Sequence, residues 1–161
     1  MRKFTLTDNN VDEELRFAVD FFEKTAGPSF SEFIGYKIES PDFNTGVMKF
    51  EMKDRLVGNP YYKVLHGGII SSVLDTVGGH TVYLNLYRKI KDKSIEKQYE
   101  SLSKIGTIDL RIDFLRPGRG KSFMAKGYML RAGTKVAVTR MELHNDEGLL
   151  IAVGTGVYSV G

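Results

Sequence analysis

Leu65-His66-Gly67-Gly68 opens an apolar stretch, and Asp75 follows nine residues after the histidine. Two glycines at the start of a helix let a ligand approach backbone N–H groups that lack an intrahelical acceptor, at the positive end of the helix dipole. Such a junction suits an anion, or an oxyanion developing on a carbonyl. Asp75 is the only acidic residue between Asp54 and Asp92. A carboxylate two turns into an apolar helix needs partners, and Ser71, Ser72 and Thr76 are the nearest in sequence. Beside an oxyanion-binding helix end it can activate water, or attack, at a polarised carbonyl. The plainer reading is an ordinary loop-to-helix junction followed by a buried polar contact. These residues alone leave the two readings level.

The elements that must position this chemistry are legible in the spacing of apolar residues. Ile70, Val73/Leu74, Val77, Thr81 and Leu84 recur at 3.6-residue intervals, which predicts a long, largely buried helix from Gly67 to about Tyr87. Gly78 and Gly79 sit in its middle, where each costs about 1 kcal/mol relative to Ala. Close backbone approach to another element explains both. Val11, Leu15, Ala18 and Phe22 predict an amphipathic N-terminal helix over 11–24, closed by Gly27-Pro28.

Strands are expected at 36–39, at 48–52 after the turn Asn44-Thr45-Gly46, and at 108–114, where Ile108, Leu110, Ile112 and Phe114 alternate with polar residues. Three more follow at about 121–131, 134–144 and 149–159, joined by hairpin-type turns. Residues 88–104 are polar and read as an exposed extension or loop, a polar insertion. Consecutive strands with short connections argue for an antiparallel sheet and an α+β class, in a single domain spanning 1–161.

Composition removes several classes of function. The 161 residues contain no Cys, which excludes disulfides, a thiolate nucleophile and Cys-ligated zinc. The three histidines, His66, His80 and His144, fit no local metal-ligand spacing, so neither a metal nor a cofactor is expected. No apolar run is long enough for a signal peptide or a membrane span, and a cytoplasmic location is expected. The formal net charge of +3 hides a purely basic window: residues 116–140 hold seven Lys or Arg and no acid. Solvated outward positions on strands, a polyanion and a phosphorylated small molecule all fit such a window. No nucleic-acid motif accompanies it, and no nucleic-acid partner is expected.

The segment resembles hotdog-fold acyl-CoA thioesterases of the PaaI-like group. The resemblance rests on Leu65-His66-Gly67-Gly68 with Asp75 at its spacing, on Val57-Gly58-Asn59-Pro60 before it, on Leu74-Asp75-Thr76-Val77-Gly78-Gly79 within the helix, and on Thr107 to Pro117 in the next strand. It implies a long central helix wrapped by an antiparallel sheet; residues 1–32, which carry the extra N-terminal helix read from spacing, stand ahead of the resembling stretch as a helical extension. It also implies edge-to-edge homodimers, often paired again into tetramers, with the active site between two chains.

Carried over by position, the Gly67 N–H becomes the donor to the thioester oxygen, and Asp75 becomes the general base or nucleophile. Thr107 would orient the water, and His66 would hold the helix start. Gly68 and Ser72 flank the substrate, and Asn59 is a further candidate. It stands seven residues before the histidine, where some members place an Asn six before it, a position occupied here by Pro60. The phosphates of coenzyme A give the basic window a partner, with Arg116 and Arg119 as the first candidates and Lys135 as the third. The implied reaction is acyl-CoA hydrolysis to a carboxylic acid and free CoA. A non-catalytic acyl-CoA or acyl-carrier-protein binding module on the same fold is the alternative.

Overall fold

Ile70, Val73, Leu74, Val77, Thr81 and Leu84, the stripe expected of the long helix, are all buried. In the computed structural model, which describes residues 9–25 and 28–161, they lie on one helix, Gly67–Ile90. Two helices precede it, α1 (Asn9–Thr25) and α2 (Pro28–Ile34), so the long helix is α3 and a further helix, α4, spans Ile95–Leu102. The strands in chain order are β1 (Lys37–Ile38), β2 (Thr45–Glu51), β3 (Val57–Asn59), β4 (Val64–Leu65), β5 (Gly106–Phe114), β6 (Ser122–Ala132), β7 (Val136–Asn145) and β8 (Leu150–Ser159). Six of them form one antiparallel sheet in the order β1-β2-β6-β7-β8-β5, while β3 and β4 pair separately. This is the expected α+β hotdog arrangement, a sheet around one central helix.

Alternation decides which side of each strand meets α3. Met48 and Phe50 on β2, Phe123 and Ala125 on β6, Met141 and Leu143 on β7 and Ile151 on β8 join Val73, Leu74 and Val77 in one core. Each large side chain fully buried there contributes roughly 1.5–3 kcal/mol. Lys49 and Glu51 point the other way, exposed. The helix comes closest to the sheet where Gly46 and Gly127 face each other across β2 and β6. A Cβ on Gly127 would overlap the Thr81 hydroxyl, and one on Gly46 would lie 2.6 Å from the same oxygen. The close approach has its own bond, from Gly46 N to Thr81 Oγ1 at 3.2 Å.

Three boundaries differ from the sequence reading. Pro28 begins α2 rather than merely ending α1, which suits proline at a first helical position; Gly27 lies outside the described residues. β2 starts at Thr45, inside the expected turn. The segment 88–104 is not a loop. Its first three residues extend α3, bringing Arg88 and Lys89 to the helix C-terminus where cations are favoured, and most of the rest is α4. Gln98 Nε2 ties α4 to the end of α3 by donating to the Lys91 and Lys93 carbonyls at 2.8 and 2.9 Å. Among the described residues, no helix is long and apolar enough to cross a membrane.

The cleanest strand by alternation, β5, is an edge strand. Ile108 is 60% and Phe114 55% exposed, so apolar side chains and an unpaired backbone edge stand together on one side of the molecule.

Candidate active site

His66 caps α3. Its backbone is extended, with φ −63° and ψ 136°, and Nδ1 accepts the Gly68 N–H at 2.9 Å. In the neutral ring an accepting Nδ1 leaves the proton on Nε2, and the bond pins the first turn of the helix. The N–H groups of Ile69 and Ile70 bond to the His66 carbonyl. Gly67 N–H, the first of the helix, takes no acceptor among the described residues. Around it a hollow of about 370 Å³ is lined by Val64, Ile70, Phe114, Arg116 and Gly118. Arg116 is exposed there and donates from Nη1 to the Leu150 carbonyl at 2.9 Å. Arg119 lies over the ring of Tyr62, 6.0 Å from its centroid. Asn59 Oδ1 accepts from Tyr61 N and Tyr62 N at 3.0 and 3.4 Å, which commits that oxygen to shaping the turn before β4.

Asp75 is half-buried, and its partners are not the ones nearest in sequence. Ser71, Ser72 and Thr76 each donate to a backbone carbonyl four residues back, those of Gly67, Gly68 and Ser72. The carboxylate is held from the sheet instead. Thr107 Oγ1 donates to Asp75 Oδ1 at 2.9 Å, and Tyr158 Oη lies 3.2 Å from the same oxygen and 3.0 Å from the Asp75 carbonyl. Asp75 Oδ2 accepts nothing from the described residues. Burial, and then the neighbouring Asp75 charge, raise the Tyr158 hydroxyl pKa well above its ordinary value, which keeps it a donor at neutral pH.

Tyr158 was not visible as a site residue. It belongs to the last strand, 83 residues from Asp75, and only the β5–β8 register, pairing Tyr158 with Thr107, brings both donors to one carboxylate. The same hydroxyl explains Gly78, where a Cβ would overlap it. Gly79 is different: a Cβ there would meet Tyr158 only at 3.6 Å, an ordinary contact. Close approach accounts for the first glycine and not the second.

Gly79 instead lines a groove of about 590 Å³ that begins at Asp75 and Thr107. A larger hollow, about 730 Å³, lies on the outer face of the sheet among Lys37, Lys49, Met124 and Lys126 and contains none of the expected site residues. Lys135 follows the β6–β7 turn, next to Val136, which pairs with Ser159 near the Thr107 end of the sheet. Arg116 follows Phe114, which pairs with Ala152 at the other end. The basic window is therefore divided. Gly67 and Asp75 are likewise apart, since eight residues of one helix separate them by about 12 Å along its axis. No group of three or more His, Asp or Glu among the described residues is arranged to hold a metal.

Known proteins fit this architecture. The thioesterase superfamily model matches residues 62–152. The medium/long-chain acyl-CoA thioesterase YigI of Escherichia coli K12 is 42% identical over 132 residues, covering 82% of this chain and 85% of its own. A crystal structure from Shewanella oneidensis, described as related to the thioesterase superfamily, is 41% identical with a TM-score of 0.84 and covers 96% of this chain and 100% of its own. The E. coli PaaI protein of the phenylacetic acid degradation operon shares the fold at 17% identity, with a TM-score of 0.72 over 94% of this chain and 96% of its own. With a family match over more than half of its length and 42% identity to a named thioesterase across most of it, this chain belongs to the thioesterase superfamily.

Proposed function

We propose that the protein hydrolyses an acyl-CoA thioester to a carboxylic acid and free CoA. The observation that carries this is Asp75: one carboxylate oxygen is held by Thr107 and Tyr158, the other is open, and the group stands at the head of an apolar groove. A binding module would have that carboxylate consumed by structural hydrogen bonds, and Oδ2 is not. Asp75 takes a proton from water as the water oxygen bonds to the thioester carbon. The carbonyl oxygen gathers charge against the Gly67 N–H, the C–S bond breaks, and the CoA thiolate is protonated. In the other route, Asp75 attacks the carbonyl carbon itself to form a mixed anhydride, which water then opens.

About 12 Å of helix separate Gly67 from Asp75, so one chain cannot present both to the same carbonyl. Two chains can. Thr107 and Phe114 mark opposite ends of β5, and Phe114 borders the Gly67 hollow. Antiparallel pairing of two β5 edges sets the Thr107 end of one chain against the Phe114 end of the other. Asp75 of one protomer then meets Gly67 of its partner, twice per homodimer. The exposed Ile108 and Phe114 are the apolar surface such pairing would cover. Arg116, at the Gly67 end, is the first candidate to meet the CoA phosphates, with Arg119 beside it.

The apolar groove and the E. coli relative's named substrates both favour medium or long aliphatic acyl groups. The test is release of free thiol from a panel of acyl-CoAs, together with the mass of the protein in solution. Hydrolysis by a dimer or larger assembly is expected. Saturable binding of acyl-CoA without turnover would turn the reading to the binding module.

A further inference from the structure

The groove that starts at Asp75 has a definite direction and a definite end. On α3 it is lined by Asp75, Gly79 and Tyr83, so it runs up the helix for about 12 Å. Opposite α3 the chain from α4 into β5 runs in reverse: Thr107 lies beside Asp75, so Leu102 and Tyr99 lie progressively further away. At the far end Phe21 of α1 and Tyr99 of α4 meet, their ring centroids 5.0 Å apart. Most of the wall along that stretch is aromatic or aliphatic, from Phe22, Tyr83, Leu102 and Ile105, with His80 and Ser103 as polar members. Near the catalytic carboxylate the floor is Gly79, which has no side chain to obstruct it.

α4 meets the core through one residue, Leu102, which packs partly buried against the cluster of Tyr83, Leu84 and Tyr87. None of its residues is buried, and Tyr99 remains 48% exposed. Its apolar positions, Ile95, Tyr99 and Leu102, share one face at i, i+4 and i+7. Two of those three line the groove. A helix that adds little to the core, yet supplies a wall and an end to a groove leading from the reacting carboxylate, has the placement of a specificity element.

We infer that α4, through Tyr99 against Phe21, is the ruler that sets how long an acyl chain this thioesterase accepts. The occupant is the aliphatic tail of the substrate, because the groove is continuous with Asp75 and mainly apolar beyond it. The inference rests on the thioesterase function proposed above. Tyr99 contacts the end of the tail, and Phe21 backs it from α1.

The experiment is kcat/KM for a series of saturated acyl-CoAs from acetyl to palmitoyl, for the wild type and for Tyr99→Ala, Tyr99→Trp and Phe21→Ala. Opening the end with Tyr99→Ala or Phe21→Ala moves the preferred length upward, with about four-fold in kcat/KM for each methylene that gains cover. Closing it further with Tyr99→Trp moves the preference downward. Opposite shifts from one position cannot come from general damage to α4, which lowers every chain length together. A uniform loss across the series, or an unchanged preference in all three variants, overturns the ruler while leaving the wild-type activity standing. A wild-type protein that hydrolyses none of the series overturns the function itself, and the ruler with it.

Discussion

Two adjacent glycines on α3 divide the helix into two regions with different duties. Gly78 faces the sheet, where a Cβ would overlap the Tyr158 hydroxyl and lie 3.0 Å from Thr139 Oγ1. Gly79 faces the groove, where the nearest atom to a Cβ is at 3.6 Å. On the sheet face Val73, Leu74 and Val77 are fully buried in a close-packed core. On the groove face Asp75 and Thr76 are half-buried and leave a cavity of about 590 Å³. The same residue type thus serves packing on one side and vacancy on the other. Sequence spacing cannot distinguish the two, because consecutive helical positions differ only by a rotation.

The largest expected effect belongs to the groove face. Asp75→Asn keeps the shape and the acceptor oxygen but removes the base and the nucleophile. Turnover should fall by about 10²–10⁴-fold, with the melting temperature little changed. Free-thiol release and thermal unfolding on the same preparation check both halves. Full activity would remove Asp75 from the chemistry and leave the groove face without a catalytic group.

The glycines test the division directly. Gly78→Ala should destabilise the fold by about 1–3 kcal/mol through overpacking against Tyr158. Gly79→Ala should be neutral or stabilising in the fold, since alanine is favoured over glycine in a helix by about 1 kcal/mol. Its effect should fall instead on KM for long acyl chains, because the new methyl enters the groove beside Asp75. Denaturant unfolding and acyl-CoA kinetics for the pair read the contrast, and equal destabilisation of the two would dissolve it.

Much of the packed face was legible and much of the open face was not. The α3 stripe and the β2 alternation follow from periodicity, and every apolar position named on that stripe is buried. His66, Gly67 and Asp75 were legible through their spacing and its resemblance to a known family. The helix α4 was missed because Ile95, Tyr99 and Leu102 are scattered among the charged residues of 88–104, which mask their i, i+4, i+7 order. Ser94 ahead of them, in N-cap position, was the available signal. Thr107 was named from the resemblance, whereas Tyr158 had no local signal at all, because its role arises from strand register over a long separation. β5 alternates as a strand with one covered face does, yet it is an edge with Ile108 and Phe114 exposed, and alternation distinguishes two faces without saying what covers them.

His80 marks the border between the two faces and gives a pH test. It is fully buried, with Nε2 3.1 Å from Ser40 Oγ, and its ring packs edge-on against Phe22, centroids 4.6 Å apart. Nδ1 has no partner among the described residues. Burial lowers its pKa from 6.5 to about 3. The unfolded chain therefore binds a proton below pH 6.5 that the folded chain refuses until about pH 3. Stability is full above pH 6.5 and declines as the pH falls through that window, with a slope from this residue on the order of 1.4 kcal/mol per pH unit. His80→Leu should flatten the dependence of stability on pH between 6.5 and 5, above the range where carboxylates dominate. An unchanged slope would mean that the ring is reached by water from the groove.

Tyr158 is where the two faces touch, and its expected effect is the smallest and most specific. Its hydroxyl crowds Gly78 on one side and orients Asp75 on the other. Tyr158→Phe removes a hydrogen bond whose net contribution is about 1 kcal/mol and frees Asp75 Oδ1 to move, leaving Thr107 as its remaining donor. A several-fold loss in kcat with little change in KM is expected, because the carboxylate is less well aimed while the groove keeps its walls. The same change gives room to a methyl at Gly78. Tyr158→Phe should therefore recover part of the stability lost in Gly78→Ala, so the double variant is more stable than the sum of the singles predicts. Strict additivity would mean that the atoms left in place, Thr139 Oγ1 and the ring carbon Cζ of residue 158, each 3.0 Å from a Cβ at Gly78, set the spacing on the packed face rather than the Tyr158 hydroxyl.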